Sequence, residues 1–272
     1  MKTFPSDEIF SDLFVTEVRL DKEIPPQNYL SGLPVIKFLR ETESIKFNSR
    51  VTFIVGENGT GKSTLIEGIA VALGFNPEGG SKNFNFFTHN SHSDLSNYLK
   101  VCKGIRFPKD GFFLRAESYY NVASNIDDLD DSDDDDIYEP GFEKMPNPKI
   151  ISSYGGVSLH KLSHGESFLR MVENRLRGKG IYIFDEPEAA LSPAKLLQLM
   201  CHMDRLVKND SQFIIAAHSP ILMAFPDAEI YELSEHGIRN VEYNETEHFM
   251  ITKSFLNNPQ KFLKEMFRED DI

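Results

Sequence analysis

The run Gly56-Glu57-Asn58-Gly59-Thr60-Gly61-Lys62-Ser63 reads G-x-x-x-x-G-K-S, which has the residue types and spacing to hold a chain of phosphates. Its glycines let successive backbone N–H groups turn inward on anionic oxygens. A helix starting at its end adds the positive pole of its dipole to the same point. Lys62 is then suited to the β- and γ-phosphates of a nucleotide and the Ser63 hydroxyl to Mg²⁺, with Thr64 next in the binding run. A second segment, Ile181-Tyr182-Ile183-Phe184-Asp185-Glu186, is an apolar stretch ending in two carboxylates. Asp185 at such a strand end can share the metal shell with Ser63. Glu186, one residue on, can orient and deprotonate a water for in-line attack on a γ-phosphate.

These residues need a strand before each loop and a helix after the first. Val51 to Val55 is a β-branched and aromatic run suited to a buried parallel strand. Leu65, Ile66, Ile69, Ala70 and Leu73 recur at helical spacing, and Gly74 stands where that helix would stop. Phe14 to Leu20 alternates like a half-buried strand, and Val35 to Leu39 reads as a second strand feeding the phosphate loop. Asn76 to Asn97 lacks periodicity and reads as loop with one short helix at most, and Gly111 to Ala116 reads as a buried strand. Ser163-His164-Gly165-Glu166 has the form of a capping box, followed by Phe168, Leu169, Val172 and Leu176 on one helical face. Ser192-Pro193 opens another helix, Gln212 to Ala217 is a further buried strand, and His218 follows it directly. Glu229 to Leu233 and Ile238 to Tyr243 form a hairpin pattern around Gly237, and Pro259 to Phe267 is an amphipathic helical pattern.

Composition narrows the setting. With 40% hydrophobic and 26% charged residues in 272, the chain reads as an ordinary globular protein with material for a substantial core. No stretch approaches the roughly 18 apolar residues of a membrane span, and the first residues lack the apolar centre of a signal peptide, so membrane insertion is not expected. Cys102 and Cys201 stand in no metal-ligand spacing, and the cytoplasm is the expected compartment. The net charge is −13, of which the run Asp127 to Asp136 carries −8, leaving −5 for the remainder. That balance is not the one of a globally basic nucleic-acid binder. The aspartate run reads as a solvated acidic loop. A divalent-cation site is the alternative, although the run lacks the Gly and Glu spacing of a calcium loop.

Leu162-Ser163-His164-Gly165-Glu166-Ser167 resembles the L-S-G-G-Q signature of ATP-binding-cassette (ABC) ATPases, and Ser163 precedes Asp185 by 22 residues, a separation close to that of the family. Asp185-Glu186-Pro187 and Ala189-Ala190-Leu191-Ser192 resemble its Walker B and D-loop segments, and His218 its switch histidine, the alternative being a core histidine. The Glu-Asn-Gly of the phosphate loop and the Ser-His-Gly-Glu-Ser of the signature resemble the SMC and DNA-repair branch, in particular small stand-alone bacterial AAA-family ATPases. The interval between phosphate loop and signature has no heptads, so no coiled-coil arm is expected. The glutamine usual after the middle strand has no counterpart, Glu117-Ser118 standing nearby. Phe38 is a candidate adenine platform set against a core role.

The resemblance implies an α/β P-loop NTPase with a mainly parallel sheet, an antiparallel N-terminal subdomain and a helical signature subdomain. It treats residues 1–272 as one domain with an inserted helical and loop region at about 75–162. It implies ATP and Mg²⁺ as cofactors, with Gly56, Asn58, Gly59, Thr60, Gly61, Lys62, Ser63 and Thr64 on the nucleotide and Ser63 and Asp185 on the metal. Catalysis falls to Glu186, His218 and Lys62, and Ser163, Gly165 and Glu166 of a second copy would close the site in an ATP-dependent homodimer. The coupled process would be DNA maintenance or antiviral defence, with DNA or a nuclease or other effector as partner. The rival readings are the ATP-binding subunit of a membrane transporter and a non-hydrolysing nucleotide switch, which Glu186 argues against.

Overall fold

The strands that carry these residues are short β-branched and aromatic runs, and they assemble into two sheets. The computed structural model describes residues 12–82, 93–116, 164–235 and 237–267. In chain order the strands are β1 (Val15–Leu20), β2 (Ser44–Lys46), β3 (Val51–Gly56), β4 (Leu99–Lys103), β5 (Asp110–Arg115), β6 (Gly180–Asp185), β7 (Gln212–Ala216), β8 (Glu229–Ser234) and β9 (Gly237–Asn240). The larger sheet has the order β5-β6-β7-β3-β8-β9 and is parallel except for the β8–β9 hairpin. The smaller, β2-β1-β4, is antiparallel. The fold class is therefore mixed α/β with a mainly parallel sheet and an antiparallel N-terminal part, as the sequence implies.

The central strands β3, β6 and β7 are buried along their whole length because both faces of the sheet are covered. In β6 and β7, Tyr182, Phe184, Phe213 and Ile215 enter one core, with Phe168 and Val172 of α3 (His164–Arg175) and Leu196, Leu199 and Met203 of α4 (Pro193–Lys208). Alternate residues Ile181, Ile183, Ile214 and Ala216 enter the other. There they meet Leu65, Ile66 and Ile69 of α2 (Lys62–Ala72), and the inner face of the small sheet completes the layer through Val18 and Ile45. A four-residue helix α5 (Pro220–Met223) and two C-terminal helices, α6 (Glu247–Asn257) and α7 (Pro259–Met266), follow.

Three local readings change. Val35 to Leu39 is part of a helix, α1 (Pro34–Glu41), and not a strand. Pro34 at its first turn presets the helical φ. Val35, Ile36, Phe38 and Leu39 are buried at helical spacing, with Lys37 and Arg40 outside. A run of five apolar-rich residues carries no period that separates the two states. Phe38 takes the core role at 5% exposure. Leu99–Lys103, inside the region expected to be an insert, is the third strand of the small sheet, and Glu247–Asn257 is a helix that no sequence pattern marked. The acidic run, Ser163 and Glu117-Ser118 lie outside the described residues.

One buried side chain locks the two sheets together. Gln212, 0% exposed at the start of β7, accepts the backbone N–H groups of Phe14 and Val15 at 2.9 Å each and donates to the Val15 carbonyl at 2.8 Å. Replacing it with leucine would leave three buried backbone groups unpaired, each worth about 1–3 kcal/mol when orphaned. Gln212→Leu is therefore expected to lower unfolding stability by about 3 kcal/mol or more, read as a fall in the denaturant midpoint.

Candidate functional site

The parallel ladder brings three strand ends to one level. Asp185 is in register with Ala216, and Ala216 with Ile54, so the loops after β6, β7 and β3 leave the sheet side by side. The carboxyl ends of such strands are where α/β sheets bind ligands.

Two glycines of the loop after β3 admit no other residue. Gly56 has φ 138°, and a Cβ there would lie 2.1 Å from the Leu233 carbonyl oxygen of the adjacent strand. Gly61 has φ 94°, and a Cβ would meet Val35 of α1 at 2.6 Å. α1 also donates the Val35 N–H to the Thr60 carbonyl at 3.1 Å, so the misread segment is the buttress of the loop. Glu57, Asn58 and Gly59 are exposed at its crest, and Ser63 and Thr64 are half-buried in the first turn of α2. The Lys62 ammonium donates to the Glu57 carbonyl at 2.7 Å, folding back over the loop. Burial pulls its pKa below the usual lysine value, against the opposing fields of Glu186, Asp185, Glu188 and Glu57. Four carboxylates thus act on one buried lysine.

Beyond β6 the backbone turns sharply. Glu186 sits in the left-handed region at φ 51°, ψ 52°, its N–H bonded to the Ala216 carbonyl at 3.0 Å. Its Oε1 lies 3.2 Å from His218 Nε2, and His218 Nδ1 lies 3.1 Å from His248 Nε2 on α6. Glu188 Oε1 accepts the backbone N–H of Ser219 at 3.2 Å and also that of His218, fixing the loop after β7. On the other side, Arg115 at the end of β5 pairs with Glu67 of α2 at 2.5 Å and approaches Asp185 at 3.7 Å.

Lys62, Asp185, Glu186 and His218 therefore converge, whereas the signature residues stand apart. Gly165 and Glu166 open α3, on the sheet face opposite α2. A Cβ on Gly165 would meet the Ala190 carbonyl oxygen at 2.9 Å and Lys195 Cδ at 3.0 Å, so that helix end packs on the segment after Glu186, and Glu166 is exposed. Sequence reasoning missed Arg115, Glu188 and His248. Glu188 sits two residues from Glu186 and could have been weighed; His248 has no local pattern around it.

Two family models match the chain. One, described as an AAA domain, covers residues 35–136. The other covers residues 157–224 and is described as an AAA domain, candidate AbiEii toxin, type IV TA system. No curated protein matches. Among solved structures, a nucleotide-free ATP-binding cassette from an ABC transporter is 19% identical over 94% of this chain and 100% of that one, at a TM-score of 0.48. The SMC head domain from Thermotoga maritima is 19% identical over 73% of this chain and 93% of that one, at 0.38. A dimeric bacterial ABC transporter cassette is 18% identical over 75% and 90%, at 0.42.

Glu188 yields a pH test. Burial raises its pKa above the usual glutamate value, its Oε2 being enclosed without a hydrogen-bond partner among the described residues, while the His218 and Ser219 N–H groups pull the other way. A carboxyl whose folded pKa is raised loses stability as pH climbs from the unfolded value through the folded one. Glu188→Gln lacks that titration. Its stability relative to the unsubstituted protein is expected to rise between pH 4.5 and pH 8, measured by denaturant midpoints at both pH values.

Proposed function

We propose that this chain is a P-loop ATPase of the ABC/SMC-like kind, which binds ATP and hydrolyses it with Mg²⁺ in a head-to-tail homodimer. The observation that carries the reading is the meeting of the buried Lys62 with Asp185, Glu186 and the His218–Glu186 pair at one end of the parallel sheet. A buried lysine among carboxylates, above a glycine loop whose crest is exposed, is matched to a phosphate chain that arrives with its own cation.

The donor set fits Mg²⁺, which takes one or two protein oxygens and fills its shell with water and substrate phosphates. Ser63 and Asp185 would hold it, and the charge it supplies would offset that on the phosphate oxygens. Among the described residues no cluster of three His, Cys, Asp or Glu side chains forms a metal site by itself. Lys62 would leave the Glu57 carbonyl for the phosphates. Glu186 would take the proton of the attacking water, and His218 would hold the Glu186 carboxylate in place from the loop after β7.

The separation of the two halves supports the head-to-tail arrangement. α2 and α3 cover opposite faces of the sheet, and Gly165 is backed by its own chain. Ser163, Gly165 and Glu166 would therefore close over the nucleotide held by Lys62 of another copy. On this reading the coupled process is antiviral defence or DNA maintenance. The match of residues 157–224 to an AAA model described with a type IV TA system supports defence, so the partner sought first is a nuclease or other effector. No helix among the described residues is long and apolar enough to cross a membrane.

Glu186→Gln is expected to retain ATP binding while turnover falls by roughly 10²–10⁴-fold. Near-normal turnover in that variant would remove Glu186 from the mechanism. The composite site has its own test. Lys62→Ala and Ser163→Arg should each be nearly inactive, whereas their mixture should recover part of the activity, because the heterodimer gathers both defects in one site and leaves the other intact. Strong ATPase activity from Ser163→Arg alone would refute the dimeric site.

A further inference from the structure

The hydrogen bonds around His218 determine where its proton must be. A glutamate carboxylate only accepts, so His218 Nε2, 3.2 Å from Glu186 Oε1, is the donor in that bond. A neutral imidazole carries one N–H, which leaves His218 Nδ1 as an acceptor. The atom facing it at 3.1 Å, His248 Nε2, must then be the donor. This assignment leaves His248 Nδ1 as a bare lone pair, and that atom is enclosed without a hydrogen-bond partner among the described residues. An imidazolium at 248 would bury a charged N–H with nothing to receive it, a much larger penalty. Burial and the nearby Lys62 charge both favour neutral rings at 218 and 248.

We propose that His248 is a positioning residue that fixes His218 as its Nε2–H tautomer, so that His218 always presents a donor to Glu186. Without a donor at 248 the Nδ1–H tautomer becomes available. His218 would then turn a lone pair towards a carboxylate, and the contact would be repulsive. The tautomer claim stands on geometry alone; its effect on turnover rests on the proposed ATPase reading.

The donor is held rigidly for this purpose. His248 lies in the first turn of α6, which is capped by Thr246, whose side chain accepts the Phe249 N–H at 3.3 Å. The Glu247 N–H donates to Glu232 Oε1 at 2.9 Å, and Glu232 is paired with Arg239 of β9 at 3.0 Å. The Tyr243 and Phe249 rings pack at a tilt of 54°, their centroids 4.6 Å apart. The start of α6 is thereby tied to the β8–β9 hairpin, and His248 reaches the loop after β7 from an element far along the chain.

The test reads the tautomer and the turnover separately. In the full chain labelled with ¹⁵N-histidine, long-range ¹H–¹⁵N spectra distinguish the two tautomers, and the His218 signals are identified by their loss in His218→Asn. The expected spectrum shows His218 as Nε2–H. His248→Gln keeps a donor at the same place and should retain that tautomer and most of the ATPase rate. His248→Leu should give a tautomer mixture and lower kcat by roughly tenfold with KM for ATP little changed, the size expected for loss of a residue that orients a functional histidine. His248→Glu replaces the donor by an acceptor, and should move His218 to Nδ1–H or to the imidazolium; it serves as the decisive variant if the leucine protein does not fold. An Nδ1–H tautomer in the unsubstituted protein, or an unchanged tautomer in the glutamate variant, would overturn the proposal. Tautomer changes as expected in a protein without ATPase activity would uphold the positioning role and reject the ATPase reading instead.

Discussion

The ladder between β6, β7 and β3 sets the geometry on which the rest of the site depends. Parallel hydrogen bonds fix Asp185 level with Ala216 and Ala216 level with Ile54, and the ladder continues one step into the loops. The Glu186 N–H donates to the Ala216 carbonyl and the Ala217 N–H to the Ile54 carbonyl. A slip of one residue would turn Asp185 to the other face of the sheet and put an apolar neighbour in its place. Register is protected against such a slip because both faces are packed: Ile183 and Ile214 belong to one core, Phe184 and Phe213 to the other. The packing that stabilises the protein is thus the same packing that brings a lysine, two acids and a histidine from distant parts of the chain to one place.

On the proposed reading, electrostatics suits that place to a polyanion with a metal. Lys62 is 3% exposed and Asp185 6%, and the fields of Glu186 and Asp185 oppose the penalty of burying the lysine's charge. Arg115 adds a second cation on the far side of Asp185, tied to Glu67 of the phosphate-loop helix. The arrangement links α2, β5 and β6 through charge as well as through apolar contact. The Glu57 carbonyl satisfies one of the three Lys62 donors, and on the proposed reading phosphate oxygens would be the stronger acceptors that replace it.

What the sequence disclosed and what it hid follow from the range of the interactions. The phosphate loop is legible because its requirements are local: Gly56 and Gly61 occupy positive φ, and no side chain fits at either place. Asp185 and Glu186 are legible because an apolar strand ending in acids is a rare pattern in a chain that also has that loop. The small sheet was half legible, since β1 alternates, whereas β4 carries Lys100, Val101, Cys102 and Lys103 and hides its pairing with β1. α1 was misread because Val35 to Leu39 is too short to show a period, and only the packing of Val35 on Gly61 decides for a helix. His248 lies thirty positions from His218, and nothing in its neighbours announces the contact.

The backbone at Glu186 shows how these forces combine. A non-glycine residue in the left-handed region is unfavourable by about 1–2 kcal/mol, and the residue before a proline is further restricted by the ring that follows it. Glu186 bears both burdens, with φ 51° and Pro187 next in the chain. It is held there by its N–H on Ala216, by its carbonyl receiving the Ala189 N–H at 3.0 Å, and by a carboxylate bound to His218. An extended backbone at this position would redirect the side chain and release the turn that packs Ala190 against Gly165. The strain thus fixes two things with one residue, the direction of the Glu186 carboxylate and the seat of the α3 N-terminus. One turn thus carries both contacts, and the Glu186–His218 pair is one of the three that hold it.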